Sequence, residues 1–554
     1  MAVSWETIQE EFQVFGAAFA DDILPSRCVQ VCEKYAMNAS DLCDEWIAWS
    51  RGNSAVVDFD SFEKMAQDIE KRRQKDVASQ QNITAGSGPG GPLTPKLHAH
   101  NKRVLAQSPL VGTPKRQAKE GSTVTALSAS FTDGTDSSPA RVYKSGKRSG
   151  NVVVAYKGSA FKDGKKAEKI EVNVLTDMVI NGRLQTKNRT DLNIAVLERL
   201  AKVKEAYPLG PDMQLKDISG GFLEPGDLVY GMLRPPRKPN LPFLLYGDYE
   251  TSRSSSLHVV PKFPAFPGQI VMAKVGNSVS DGNFLESPIA PQLPPLAAKP
   301  QCRDRIRVVA AAGPYTTIDT LSYEPYHDFV DKIARDEPDL AIMFGPFVDR
   351  NHKKLSVNLD CTFQAYFTQL LQHLSKKLTG KRTRVFVVAN YRENHTTGRA
   401  FPTEKYSLTL PNVTPLNDPT VLSVNGVHVA LSSTDVFRAL NDAMVNVEEN
   451  SDLFRLAART LLEQRSFYPV FPPHGDLIVR TALANRTMME SRPHLFITPA
   501  TVAPFVVPEE GCLFVNPGSL VKGMDAGSYA VIDIGPTEGR ESIVDTSKVS
   551  VVKI

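Results

Sequence analysis

The chain has 554 residues, a formal net charge of +3 and 42% hydrophobic residues, an ordinary composition for a globular protein of two to four domains. No run of 18 apolar residues occurs, and the acidic N-terminus MAVSWETIQEEF lacks the features of a secretory signal, so we expect neither a membrane span nor export. The six cysteines are scattered without zinc-type spacing, which predicts reduced thiols of an intracellular protein and no metal or other cofactor.

Residues 1–75 predict a small helical domain that contacts other proteins. Phe12, Phe15 and Phe19 recur at the spacing of one helix face, and a further amphipathic segment begins after Asp58. Residues 1–70 contain 14 acidic and 4 basic side chains, a net charge of about −10. This acidic surface is either a docking face or simply a solvated face.

Residues 76–150 predict a disordered, basic linker. The segment is rich in Gly, Pro and Ser and loses apolar periodicity, and residues 71–170 carry 19 basic against 6 acidic side chains. Four Ser/Thr-Pro pairs are candidate phosphorylation sites: Thr94, Ser108, Thr113 and Ser138. The last two lie in TPKR and SPAR, the arrangement that cyclin-dependent kinases favour. PKRQAK and KSGKR are either nuclear-import signals or part of a solvated linker.

Residues 151–295 predict a β-barrel of the OB-fold type. Short β-type runs such as VVVAY, DLVYGML and QIVMAKV are separated by Gly/Pro turns, with one helical stretch, DLNIAVLERLAKVKEAY, among them. OB-folds often bind single-stranded nucleic acid through alternating aromatic and basic side chains. That alternation is weak here, so we favour a protein-docking barrel over direct nucleic-acid binding.

Residues 296–554 predict an α/β sandwich. Near-continuous apolar strands such as IRVVAAAG, DLAIMFG and RVFVVAN alternate with helical patterns, as expected for sheets buried on both faces. Sites in such folds lie at the C-terminal ends of the strands. The strand ends therefore decide which chemistry this domain can perform.

The strand ends resemble those of calcineurin-like metallophosphoesterases from which the metal ligands have been lost. Such enzymes hold two cations about 3.5–4 Å apart with carboxylates, histidines and an asparagine. The corresponding positions here are Ala312, Pro314, Pro346, Asp349, Asn390 and Tyr391. Asp349 would not contact the metal directly, and the one neutral amide of Asn390 does not hold a dication against water. Four histidines remain candidates for a rebuilt site or, alternatively, structural residues: His352, His395, His474 and His494.

Six motifs in family order resemble the B subunits of replicative DNA polymerases, and among them the B subunit of DNA polymerase alpha–primase. They are FPGQIV (266–271), GPYTTIDTLSYEP (313–325), MFGPFVD (343–349), SVNGVHVALSSTD (423–435), QRSFYPVFPP (464–473) and CLFVNPGSLVKG (512–523). The first 150 residues match only in type: a helical module, then a linker with kinase sites.

This resemblance implies a nuclear, non-catalytic scaffold. It implies that the OB-fold and the inactivated phosphoesterase-like domain grip the C-terminal domain of the catalytic subunit. The primase subunits would join through the complex, and the N-terminal domain would contact other replication factors. DNA contact would be mainly indirect, in support of RNA–DNA primer synthesis. Interface residues do not follow from the motifs; Phe347, Tyr468 and Phe471 are weak candidates that could equally be core. The alternatives are a B subunit of polymerase delta or epsilon, or an active metallophosphoesterase.

Overall fold

The structure is a computed structural model with two compact units, residues 1–128 and 129–554. It describes residues 5–14, 18–19, 24–35, 39, 42, 46, 56–67, 69–70, 149–176, 178, 189–211, 213–216, 218, 223–235, 243–246, 255–259, 263–278, 282–356, 361–396, 400–448, 450–480, 483 and 486–554. Within these ranges, no helix combines the length and the apolar character needed to cross a membrane.

The described part of the first unit is mainly helical. Its elements are α1 (Trp5–Val14), β1 (Ala18–Phe19), α2 (Leu24–Tyr35), β2 (Val56–Val57) and helical residues 59–67. Asp58 accepts a hydrogen bond from the Ser61 N–H at 2.9 Å, the geometry of an N-cap, so this helix begins after Asp58 as predicted.

Phe19 corrects the prediction of one helix face through residue 19. It lies in β1, which pairs in parallel with β2, whereas α1 ends at Val14. The Phe19 ring still packs against Phe12, with ring centroids 4.9 Å apart. The apolar spacing of Phe12 and Phe19 therefore reflects a contact between α1 and β1, because both side chains pack into one small core.

The second unit contains two sheets and a barrel. Its first sheet consists of β3 (Val152–Lys157), β10 (Ile306–Ala312), β11 (Leu340–Phe344), β12 (Arg384–Val388), β14 (Val413–Leu416), β23 (Ser528–Ile534) and β24 (Ser547–Lys553). The strand order is β14-β12-β11-β10-β23-β24-β3, parallel from β14 to β10 and antiparallel from there to β3.

The second sheet has the order β19-β20-β18-β16-β15-β4. Its strands are β4 (Val172–Val174), β15 (Thr420–Val424), β16 (Val427–Leu431), β18 (Leu495–Ile497), β19 (Phe505–Glu509) and β20 (Cys512–Asn516). Asn425 and Gly426 join β15 to β16, both with positive φ (46° and 79°). This is the Asn-Gly pair that a two-residue hairpin turn prefers.

The two sheets stack as the inner layers of a four-layer sandwich. Alternate residues of both sheets, among them Val308, Ile342 and Val429, form a shared core. The opposite face of the first sheet packs against α4 (Glu324–Asp336) and α5 (Phe363–Lys377). The opposite face of the second packs against α6 (Val436–Ala443) and α7 (Leu453–Glu463). Burial on both faces explains the continuous apolar runs.

A closed barrel of five strands lies between β4 and β10 in the sequence. The strands are β5 (Leu228–Arg234), β6 (Phe243–Tyr246), β7 (Ser255–Val259), β8 (Ile270–Ser278) and β9 (Gly282–Ile289), in the order β5-β6-β7-β9-β8. Odd residues of β5 and β8 face one core, and their even residues pack against α3 (Arg189–Lys204). This period of two is what a barrel with one helix on its outside requires.

The structure corrects the predicted start of the barrel domain at residue 151. β3 pairs with β24 at the edge of the first sheet, and β4 pairs with β15 at the edge of the second. Residues 152–174 thus belong to the sandwich. A short edge strand carries no local signal of the sheet that it joins, because pairing depends on distant backbone. Two short pairs complete the second unit: β13 (Ala400–Phe401) with β17 (Ile478–Val479), and β21 (Val521–Lys522) with β22 (Asp525–Ala526).

Candidate functional site

The ends of β10 and β11 contact each other directly through their two Gly-Pro turns. The Gly313 N–H donates to the Phe344 carbonyl at 3.0 Å, and a Cβ on Gly313 would overlap the carbonyl oxygen of Pro346. Ala312 is 1% exposed, and Pro314 is partly buried. The glycine-proline pair thus allows two strand ends to approach closely, and neither proline supplies a ligand atom.

Glu393 is the central side chain at this edge of the sheet, and the sequence reasoning did not single it out. Its carboxylate is fully buried and accepts hydrogen bonds from the backbone N–H groups of Phe347 (2.7 Å) and Val348 (2.5 Å). It also accepts one from the hydroxyl of Tyr406 at 3.0 Å. Glu393 therefore ties the turn after β11 to the segment after β12. A charged residue five positions after an apolar strand was the signal that could have revealed it.

The predicted residues Asp349, Asn390 and Tyr391 lie at this same edge, and the polar side-chain atoms of Asp349 and Asn390 are engaged within the chain. Asp349 is 8% exposed, forms an ion pair with Arg392, and accepts from the Asn351 N–H at 3.1 Å. The Asn390 amide donates to the carbonyl oxygen of Ser433 at 3.1 Å and accepts from the Arg392 N–H at 2.8 Å. These contacts are structural because they join neighbouring strand ends.

A second buried carboxylate, Asp418, is surrounded by hydroxyl groups at the end of β16. It accepts hydrogen bonds from the Ser432 hydroxyl (2.9 Å), the Ser433 N–H (2.9 Å) and the Thr434 hydroxyl (2.6 Å). Burial raises the pKa of Asp418, and the hydrogen bonds from Thr434, Ser432 and Ser433 oppose that shift. The SST turn of the fourth motif therefore binds a carboxylate of the chain itself.

The turns ITPAT and NPGSL are also held by side chains of this domain. Asp435 accepts from both the backbone N–H and the hydroxyl of Thr501, each at 2.7 Å. The buried Asn516 accepts from the N–H groups of Ala500 and Gly518, each at 2.9 Å. The asparagine of the NPGSL turn therefore has a packing role that requires no metal.

The four candidate histidines have four different environments. Their contacts are His352 with the Thr317 carbonyl (2.8 Å), His395 with the Phe367 ring (centroids 4.0 Å apart), His474 with Asp442 (3.3 Å) and His494 with the His428 N–H (2.9 Å). Among the residues for which coordinates are described, no three or more His, Cys, Asp or Glu side chains are grouped so as to hold a metal ion.

The residues at the strand ends do not fit a binuclear metal centre. Hard dications require carboxylate oxygens that can coordinate them. The oxygens of Glu393 and Asp418 already accept hydrogen bonds from protein donors, and Asp349 faces the guanidinium of Arg392. A cation placed here would displace these bonds and would be repelled by Arg392.

The predicted interface residues differ in burial. Phe347 is 1% exposed and stacks on Tyr315 with ring centroids 4.6 Å apart. Tyr468 is 7% exposed, and Phe471 is partly buried. Their contact with a partner stays a prediction, and burial weighs against it for Phe347. The candidate phosphorylation sites Thr94, Ser108, Thr113 and Ser138 lie outside the described residues.

Two of the family-like motifs meet where the barrel contacts the sandwich. The Gln464 side chain accepts from the Ile270 N–H at 2.8 Å and donates to the Ile270 carbonyl at 3.0 Å, as a neighbouring strand would. The Phe471 N–H donates to the Pro267 carbonyl at 2.9 Å. Gly268 has φ +95°, and a Cβ there would overlap the Phe471 backbone nitrogen. FPGQIV and QRSFYPVFPP therefore together form the contact between the barrel and the sandwich, which we call the joint.

Two models of known protein families match this chain. Residues 308–507 match the family model described as the DNA polymerase alpha/epsilon B subunit, so the C-terminal sandwich is that of a polymerase B subunit. Residues 6–72 match the model of the N-terminal region of the DNA polymerase alpha B subunit. The chain belongs to the family of DNA polymerase alpha B subunits.

Individual relatives are similar to this chain over between about half and nearly all of its length. The DNA polymerase alpha B subunit of Mus musculus is 25% identical over 96% of this chain and 95% of its own length. The Drosophila melanogaster relative is 30% identical over 49% of this chain and 44% of its own length. A solved structure of a predicted phosphoesterase from Streptococcus pneumoniae is 11% identical, covers 42% of this chain and 85% of its own, and has a TM-score of 0.19. A score this low carries no weight for function.

Proposed function

We propose that the chain is a non-catalytic accessory subunit of DNA polymerase alpha–primase that acts in the nucleus. In this proposal it binds the C-terminal domain of the catalytic subunit and is linked through it to the primase subunits. Its N-terminal domain contacts other replication factors, DNA contact is mainly indirect, and phosphorylation of the linker regulates that tether. The chain thereby supports the synthesis of RNA–DNA primers.

The proposal rests on the buried carboxylates at the strand ends, whose oxygens already accept hydrogen bonds. At the edge where a phosphoesterase would bind metal, buried Glu393 and Asp418 accept hydrogen bonds from the chain's own donors. Such a network stabilises turns and supplies neither nucleophile nor metal ligand. Its place in a chain that matches polymerase alpha B subunits at both ends favours a scaffold over a hydrolase.

The architecture supports assigning the two domains as an OB-fold and an inactivated phosphoesterase-like sandwich. Counted from its own first strand, the barrel has the order 1-2-3-5-4 with one parallel pair, β7 with β9. The OB-fold is a five-stranded barrel of this kind. The joint built by Gln464 and Gly268 holds the barrel on the sandwich, which gives a partner one composite surface.

The alternatives are distinguished by the N-terminal unit and by the strand ends. A match of residues 6–72 to the alpha-specific N-terminal model favours alpha over the B subunits of delta or epsilon. An active metallophosphoesterase would require the carboxylates at the strand ends to exchange their present hydrogen bonds for metal.

The test is co-purification of the tagged full-length chain from dividing cells, with the eluate assayed for subunits and for phosphodiesterase activity with added Mn²⁺. We expect a polymerase alpha catalytic subunit and two primase subunits in equimolar amounts, and hydrolysis no faster than in the buffer blank. Recovery of a delta or epsilon catalytic subunit would overturn the assignment. Metal-dependent hydrolysis abolished by Glu393→Gln would overturn the non-catalytic role.

A further inference from the structure

Arg199 is a buried cation whose hydrogen-bonding capacity is largely unused. It lies on α3, is 9% exposed, and donates through one terminal nitrogen to the Pro469 carbonyl at 3.1 Å. Its Nε and its other terminal nitrogen are buried and have no acceptor within the described part of the chain. Polar groups in protein interiors are nearly always satisfied, so this arrangement requires an explanation.

The charge of Arg199 is also uncompensated. Burial lowers its pKa to about 10, with Tyr230 opposing the shift, so the guanidinium remains a cation at neutral pH. None of the ion pairs formed by described residues includes it. By contrast, the buried carboxylate of Glu509 is shared by Arg455 (3.0 Å) and Arg459 (3.3 Å). Buried charges are ordinarily paired in this way.

The surroundings of Arg199 have the composition of an interface core. Arg234, the last residue of β5, packs against the same 469–471 segment: its guanidinium carbon is 4.9 Å from the Phe471 ring centroid and 5.1 Å from that of Tyr246. The Tyr230 hydroxyl donates to the Leu200 carbonyl at 2.5 Å, so its proton is already used within the chain. Arginine and aromatic side chains dominate the strongest contacts of protein interfaces.

We propose that Arg199 anchors a carboxylate side chain contributed by a partner protein, inserted between α3 and the 469–471 segment. This inference rests on the proposed function, because it assigns a contact through which a partner protein binds at the joint of barrel and sandwich. A carboxylate bridges two N–H groups of one guanidinium. The two unsatisfied nitrogens are buried, so the acidic side chain must insert as the partner binds, whereas a nucleic-acid backbone binds along exposed cations.

The first test uses the free full-length chain and formate as the probe. We expect formate, at an ionic strength matched with chloride, to raise the unfolding midpoint of the wild type and to leave Arg199→Met unchanged. We further expect Arg199→Met to unfold at the same or a higher temperature than wild type in chloride, because it removes a buried unpaired charge. A lower midpoint for Arg199→Met, with formate acting equally on both chains, would show that Arg199 is structural and would overturn the proposal.

Acidic residues of the chain itself provide the internal alternative. Asp248 and Glu250 lie between β6 and β7 in the sequence, and replacing both carboxylates tests this alternative. If Asp248→Asn/Glu250→Gln destabilised the chain and formate had no effect on the wild type, the partner carboxylate would be excluded. We expect this double variant to keep the wild-type formate response.

The second test measures affinity for the catalytic subunit's C-terminal domain. We expect Arg199→Met to weaken binding by about 30-fold or more, mainly through faster dissociation, since one member of a buried charge pair is lost. Arg335→Met is the matched control, because that side chain is 71% exposed and pairs only with adjacent Asp336 among its described ion pairs. Equal affinities of wild type and Arg199→Met would refute this contact. If the wild type itself did not bind, the proposed function would fail, and the formate response would still decide whether Arg199 accepts a carboxylate.

Discussion

Replacing Glu393 by glutamine tests whether its carboxylate holds the turn after β11 to the segment after β12. Glutamine keeps the shape of the side chain but offers a single acceptor oxygen and an NH₂ group. The Phe347 and Val348 N–H groups now bind different oxygens of Glu393, so in either orientation of the amide one of them faces a donor. A hydrogen bond to a charged acceptor contributes about 1.5–3 kcal/mol, and the orphaned buried N–H adds its own cost. We expect Glu393→Gln to lower the free energy of unfolding of the second unit by about 3 kcal/mol.

The assay is urea unfolding of the full-length chain followed by two signals. The three tryptophans, Trp5, Trp46 and Trp49, all lie in residues 1–128, so their fluorescence reports the first unit alone. Far-ultraviolet circular dichroism also reports the sheets of the second unit. The dichroism midpoint should fall while the fluorescence midpoint stays constant. Glu404→Gln, the same change at an exposed position, is the control and should leave both signals unchanged.

Two outcomes would refute this reasoning. An unchanged dichroism midpoint in Glu393→Gln would mean that the carboxylate does not hold the turns together. A wild-type chain stabilised by Mn²⁺, with that effect lost in Glu393→Gln, would mean that Glu393 is a metal ligand after all.

Three further predictions concern the joint and a buried histidine. Gly268→Ala should destabilise the second unit by several kcal/mol, because the φ of Gly268 is +95° and the new Cβ would overlap backbone atoms. Gly475→Ala is the control: its φ is +64° but the Cβ would meet open space, so the cost should be only about 1 kcal/mol. Thermal unfolding of the two variants measures the difference. Gln464→Leu keeps the volume but leaves the Ile270 N–H of β8 without its partner, so dichroism-detected urea unfolding should show a loss of about 1–3 kcal/mol, and an unchanged midpoint would contradict the joint. Burial, and to a smaller extent His428, lowers the pKa of His494 from 6.5 to about 4. Between pH 6.5 and pH 4 the unfolded chain therefore binds more protons than the folded chain. The free energy of unfolding should fall by about 3 kcal/mol as the pH is lowered through this range. His494→Gln should flatten that pH dependence of the unfolding free energy, and an unchanged pH dependence in this variant would contradict the assignment.

Much of the fold follows from local patterns in the sequence. The apolar runs IRVVAAAG, DLAIMFG and RVFVVAN form neighbouring strands because side chains of period two must be buried on both faces of a sheet. The helix predicted from DLNIAVLERLAKVKEAY is α3, since its apolar residues repeat at helical spacing. The barrel strand β9 was not singled out, because GNFLESPI contains Gly, Ser and Pro and lacks a clear alternation.

The sequence shows in part which atoms the candidate site can offer, because residue type alone decides whether a side chain has an oxygen or a nitrogen. Proline at 346 and alanine at 312 have no metal-binding atoms in any conformation. The contacts that hold these strand ends together could not be predicted. Glu393 reaches the turn after β11 across 45 to 46 residues, and Asp418 reaches the SST turn across 14 to 16. Such contacts depend on where distant strand ends meet in space.

The sequence by itself determined the alternation of strands and helices and the lack of side-chain ligand atoms at positions 312 and 346, since these depend on residue type and near-neighbour spacing. Only the tertiary structure decided that residues 152–174 complete the edges of two distant sheets, and that FPGQIV and QRSFYPVFPP are joined by Gln464. It also decided that Arg199 lies buried without a carboxylate among its described neighbours. Hydrogen-bond partners and desolvation are properties of the packed chain, so no local pattern encodes them.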